Sequence, residues 1–92
     1  KMYETKKYIA TTYNKKSGKY VAQFSTLTIR ELRARGGFVP KTRYVVGSSY
    51  ACERDSAIAY DRAMLRLFGT VEEVNALAAR GVCRGLNFSG VV

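Results

Sequence analysis

AIAYDRAMLRLFG, residues 57–69, is the most regular stretch of the chain, and its neighbours are best read outward from it. Residues 52–68 fit a helix, with Gly69 as its C-terminal cap. Cys52, Ser56, Ala59, Ala63 and Leu67 recur at i, i+4, i+7, i+11 and i+15, which places them on one stripe. Four of the five are small, so the helix axis can approach a sheet closely. Tyr60, Met64 and Phe68 lie beside the stripe and are expected to fill its flanks.

Past Gly69, the run Thr70-Val71-Glu72-Glu73 has the form of a capping box. The Thr70 hydroxyl and Glu73 carboxylate are both expected to satisfy exposed N–H groups. Val71, Val74, Leu77 and Ala78 give this second helix an apolar face, and Gly81 stops it. Leu86 and Phe88 are placed to return to the core.

Upstream the periodicity changes. Residues 7–14 (KYIATTYN) are rich in Tyr, Ile and Thr, as strands are. Lys15-Lys16-Ser17-Gly18 reads as a turn, and residues 19–25 (KYVAQFS) as the returning strand of a hairpin. Alternation assigns Tyr20, Ala22 and Phe24 inward, and Lys19, Val21, Gln23 and Ser25 outward. Residues 26–40 form a long connection in which LTIRELRAR is compatible with a short helix ended by Gly36-Gly37. Residues 41–47 (KTRYVVG) read as a third strand, with Tyr44 and Val46 inward and Arg43 and Val45 outward.

This order predicts an α+β domain: a three-stranded antiparallel sheet packed against one main helix, plus a short C-terminal helix. A chain of 92 residues suits one domain, with its core over 7–88 and an insertion at 26–40. It opens with Lys1 rather than Met and therefore reads as a segment of a larger protein. No apolar run reaches the roughly 18 residues of a membrane span, so no membrane-spanning segment is expected.

Charge divides the chain. The first 43 residues carry eleven cations against Glu4 and Glu31, an excess of nine; residues 44–92 carry five arginines and five acids. The whole +9 therefore belongs to the half that holds the strands. Such segregation points to a polyanion, nucleic acid or an anionic membrane, of which nucleic acid rather than membrane is the expected partner. Cys52 and Cys83 are too few for a disulfide framework or a four-ligand zinc site, and both read as small buried hydrophobes. The chain has no histidine for general-base, nucleophile-activating or metal work, and no glycine-rich phosphate loop. A binding module is expected, with neither catalysis nor a cofactor.

The segment AYDRAMLRLFG, residues 59–69, resembles the helix of the ethylene-response-factor (Apetala-two) DNA-binding domain. Other marks agree in order. Tyr8 matches the aromatic residue that opens the family's first strand, and Gly18-Lys19-Tyr20-Val21-Ala22-Gln23-Phe24 is similar to its G-K-W-V-A-E-I second strand. Leu86-Asn87-Phe88 resembles the closing L-N-F. The likeness spans residues 8–88, with insertions before the third strand and before the closing motif. It implies a sheet laid into the major groove of double-stranded DNA, in a nuclear transcriptional regulator.

Carried over position by position, the family's base readers fall on Ile9, Thr12, Asn14, Gln23, Ser25, Arg43 and Val45. Plant members carry arginines where this chain has Ile9, Thr12, Asn14 and Ser25, and a tryptophan where it has Val45. The chain looks more like the divergent, apicomplexan-like members. Arg43 alone keeps a bidentate partner for guanine; Asn14 and Gln23 suit adenine, and Ile9 or Val45 a thymine methyl. Lys6, Lys7, Lys15, Lys16, Lys19 and Lys41 are phosphate contacts in this reading. The family also suggests Tyr60 for a phosphate, against core packing. Asp61 reads as structural, bracing Arg62 or a loop amide. The alternatives are an RNA-binding module and a protein-interaction module, in which the minor helix and Cys83 serve a homodimer.

Overall fold

The computed structural model describes residues 2–4, 8–45 and 49–88. The class is α+β. In chain order the elements are β1 (Met2–Glu4), β2 (Thr11–Asn14), β3 (Lys19–Ala22), α1 (Thr26–Arg35), α2 (Glu53–Phe68) and α3 (Val71–Ala79).

The hairpin of β2 and β3 is antiparallel, with Thr11 opposite Ala22 and Asn14 opposite Lys19. Its turn is closed locally. Gly18 takes a φ of 71° and donates its N–H to the Asn14 carbonyl at 2.8 Å, a conformation open to glycine at no steric cost. The Asn14 side-chain oxygen accepts from the N–H groups of Lys16 and Ser17. β1 pairs with the far edge of β2, giving the order β1-β2-β3.

Among the described residues, the sheet expected from residues 7–14, 19–25 and 41–47 is not found. Residues 8–10 are a turn in which Ala10 has a φ of 60°. β3 ends at Ala22, and Ser25 becomes the N-cap of α1, accepting from the Thr28 N–H at 3.0 Å. Among the described residues the third-strand segment makes isolated bridges, Gln23 with Tyr44 and Tyr20 with Tyr50. Unbroken antiparallel register from the first bridge would set Tyr20 opposite residue 47, so the segment carries three extra residues before Tyr50. The outer N–H of Tyr44 is spent on the Thr42 hydroxyl at 3.2 Å. The parity is also reversed. Tyr44, expected inward, is 46% exposed, and Val45, expected outward, is 5% exposed and part of the core. Residues 5–7 and 46–48, including Lys6, Lys7 and Val46, lie outside the described residues.

α2 packs on β2 and β3 and carries α3 on another side. Its buried residues are Ser56, Ala57, Tyr60, Asp61, Ala63, Met64 and Phe68. Of the expected small-residue stripe, Ser56 and Ala63 are buried, Ala59 and Leu67 are half-buried and Cys52 is exposed; Tyr60, Met64 and Phe68, expected on the flanks, are buried as well. Small residues belong to the packed centre, where Ala22 on β3 and Ala63 on α2 lie in one buried cluster. The Thr11 hydroxyl joins strand to helix by a hydrogen bond to the Ser56 hydroxyl.

The insertion is helical. α1 ends at Gly36, whose φ is 75° and whose N–H reaches the Arg33 carbonyl. Leu32 enters the core, and Glu31, Arg35, Glu73 and Arg80 form a chain of ion pairs to α3. Thr70 caps α3 as expected, accepting from the Glu73 N–H at 3.1 Å. The Glu73 carboxylate does not complete the box; it is taken by Arg35.

Candidate nucleic-acid interface

Among the described residues, α2 is the one helix packed on β2 and β3, and it covers the face of Thr11, Tyr13, Tyr20 and Ala22. The opposite face carries Thr12, Asn14, Lys19 and Val21, continued by Gln23. Lys15, Lys16 and Lys19 are exposed at the hairpin tip. Thr12, Asn14 and Gln23 are half-buried, whereas Val21, expected to be polar-face and open, is 9% exposed.

Four of the expected base readers converge. Thr12, Gln23, Ser25 and Arg43 line a cleft of about 150 Å³ together with Ala10, Arg84 and the expected phosphate contact Tyr60. The buried Thr12 hydroxyl meets no hydrogen-bond partner among the described residues. A buried unpaired hydroxyl costs about 1–3 kcal/mol, so it is a group that a ligand can satisfy. Arg43 is exposed, with its Nε donating to the Phe24 carbonyl at 3.2 Å; that bond fixes the side chain and leaves the terminal nitrogens for a partner. Arg84 had no sequence signal. It sits in the charge-balanced half and reaches the cleft only because the chain folds back after α3.

Four expected site residues have roles in the fold. Val45 is in the core, as parity required. Ser25 spends its hydroxyl on the α1 cap and on the Val82 carbonyl at 3.3 Å. Ile9 packs against the core, and its backbone N–H donates to the Asn87 side-chain oxygen at 2.7 Å. Tyr60 packs at 6.4 Å from the Phe24 ring and is 3% exposed, the core packing weighed for it, and it borders the cleft from inside. Asn14 is partly committed to its turn, and Lys41 lies on a different cavity, away from the hairpin tip.

Behind this surface the chain closes on itself. Asp61 is fully buried. Its Oδ1 accepts from the Asn87 N–H at 2.9 Å and the Asn87 amide at 3.2 Å, and its Oδ2 from the Phe88 N–H at 2.8 Å. Asn87 in turn holds both the N–H and the carbonyl of Ile9. The Phe88 ring lies 5.6 Å from Tyr8, and the Arg54 guanidinium 5.5 Å from Phe88. The strained turn at Ala10 is thereby fixed from both sides, since the Ala10 carbonyl also accepts from the Gln23 N–H at 3.0 Å. This relay sets where β2 begins and hence which residues face outward. Asp61 was read as bracing Arg62 or a loop amide, and loop amides are its partners.

Burial pushes the Tyr60 phenol well above the ordinary tyrosine range, and the neighbouring Cys83 and Asp61 add to it. The fold therefore favours the protonated phenol. That stabilisation is complete below the unfolded value of about pH 10 and is lost as pH rises beyond it. In a spectroscopic alkaline titration, one of the seven tyrosines should ionise only with unfolding. Tyr60→Phe should flatten the alkaline fall in stability. An unchanged titration curve in that variant would contradict the assignment.

No group of three or more His, Cys, Asp or Glu side chains that could hold a metal occurs among the described residues. The two cysteines are unpaired, Cys83 buried and Cys52 exposed. No protein-family model, curated protein or solved structure matches the chain.

Proposed function

We propose that the chain is a sequence-specific double-stranded DNA-binding domain of the ethylene-response-factor (Apetala-two) type, belonging to a nuclear transcriptional regulator. In this reading the outer face of the β2–β3 hairpin enters the major groove. Residues 43–45, hydrogen-bonded along β3 through the Phe24 N–H to the Arg43 carbonyl and the Val45 N–H to the Ala22 carbonyl, take the place of the third strand. The observation that carries the reading is the composition of one surface. Thr12, Asn14 and Gln23 lie on a sheet face bearing no helix, with three lysines at its tip and Arg43 beside it. A two-stranded ribbon fits a groove about 12 Å wide. Lysines at the tip suit phosphates, and Arg43 with Gln23 suits base edges. The surface has the chemistry of binding rather than catalysis.

Selection from a random DNA library, followed by a salt titration of the winner, tests this. Each phosphate contact should add about 0.9 to the slope of log affinity against log salt. Arg43→Ala should cost roughly 1–3 kcal/mol on the preferred site and relax one base position. An equal loss on every sequence would make Arg43 a phosphate contact. A library with no enriched sequence would sink the specific-reader proposal, and tighter binding to duplex RNA would favour the RNA alternative.

A further inference from the structure

The 26–40 insertion helps to build a groove apart from the cleft of Thr12, Gln23 and Arg43. Two cavities, of about 370 and 340 Å³, adjoin through Phe38, Arg66 and Leu67, which line both. Phe24, Val45 and Ala63 supply apolar wall to the larger, and Leu32 to the smaller. Phe38 is 73% exposed, an unusual position for a phenylalanine unless something covers it. The charged residues lining the pair are Lys41, Arg35 and Arg66; no Asp or Glu lines either cavity. Arg35 is already held by Glu31 and Glu73, but Lys41 and Arg66 make no ion pair among the described residues. Beyond Arg66 a third cavity carries Asp55 and Arg62, which marks the end of the wholly cationic stretch.

The geometry points to an acidic amphipathic helix of a partner protein as the occupant. Its apolar side chains fill the two cavities, and its carboxylates meet Lys41 and Arg66. Helix-in-groove recognition uses apolar anchors at i, i+3, i+4 and i+7, and complementary charge on the rim sets partner choice. A nucleic-acid backbone is a poor fit, because phosphates gain nothing from Phe38, Leu67 and Ala63. A second copy of this chain brings +9 of like charge to a cationic rim. The groove shares no residue with Thr12, Asn14, Gln23 or Arg43, although Tyr44 on its wall pairs with Gln23; peptide binding is read without DNA, so the proposal stands or falls apart from the DNA reading.

The test is fluorescence anisotropy of a labelled helical peptide of about 15 residues, Leu at i, i+3, i+4 and i+7 and Glu elsewhere, titrated with the intact chain. Saturable binding is expected, weakened about tenfold or more by Phe38→Ser and by Arg66→Glu. Both positions are exposed, and circular dichroism should show the fold retained. A peptide with the same composition but its leucines scattered around the helix should not saturate. Equal binding of the scattered peptide would reduce the effect to attraction by net charge and overturn the proposal. So would affinity indifferent to both substitutions, or a dimer in sedimentation that Phe38→Ser dissolves.

Discussion

Asp61→Ala is expected to cost about 3–5 kcal/mol of stability, the largest loss for any polar side chain of the fold. The carboxylate is fully buried and accepts three N–H bonds from Asn87 and Phe88. Alanine removes every acceptor at once. It leaves two backbone N–H groups and part of an amide without partners in a region water does not enter freely. Hydrogen bonds to a charged group contribute roughly 1.5–3 kcal/mol each in favourable settings, though bonds sharing one carboxylate do not sum. A loss of this size lowers the melting temperature of so small a domain by on the order of 15–30 °C. The effect should extend beyond the C-terminal segment, because Asn87 also fixes Ile9 and the turn into β2. Asn87→Ala should therefore be strongly non-additive with Asp61→Ala. Asp61→Asn keeps the shape and one acceptor but sets an NH₂ near the other N–H groups, so it should fall between parent and alanine. A melting temperature for Asp61→Ala within about 2 °C of the parent would show that the relay does not hold the fold together.

Met64→Ala is the second large effect, about 2–5 kcal/mol. Met64 is fully buried at the centre of α2, in one cluster with Ala22, Val74 and Leu77. Truncation removes apolar area and leaves a cavity between sheet, α2 and α3, which a domain with so thin a core can close only partly. Met64→Leu conserves volume and should cost less than about 1.5 kcal/mol. Arg62→Ala, two residues away and exposed, should stay within about 0.5 kcal/mol. Denaturant unfolding separates the three. Similar losses for Met64→Ala and Arg62→Ala would mean that the packed face of α2 lies elsewhere.

Local signals in the sequence were sufficient for the hairpin turn and the three helices, but not for β1 or the expected third strand. Gly18 and Asn14 specify the hairpin turn, Gly36 and Gly69 end α1 and α2, and Thr70 caps α3, because each satisfies backbone groups within a few residues. The site was legible less evenly. Thr12, Gln23 and Arg43 were assigned to one surface and lie together. Ser25 and Tyr60 border the same cleft but are also used as a cap and as core, while Val45 and Ile9, assigned there too, serve as core and as a clamped backbone. Each of those roles depends on a partner far along the chain.

The helix AIAYDRAMLRLFG was determined by sequence alone, since its periodicity and closing glycine act over one or two turns. Which of its faces is buried was not. Apolar residues run around more than half of the helix, and only the positions of β3 and α3 choose Tyr60, Met64 and Phe68 over Ala59 and Leu67. The same holds for residues 41–47: a side-chain period of two is symmetric until a neighbouring strand fixes the register, and a one-residue shift exchanges Tyr44 for Val45. Tertiary structure also decided what Asp61 and Asn87 are for. A buried carboxylate needs donors, and the ones it found lie 26 and 27 residues away, at a distance no local pattern records.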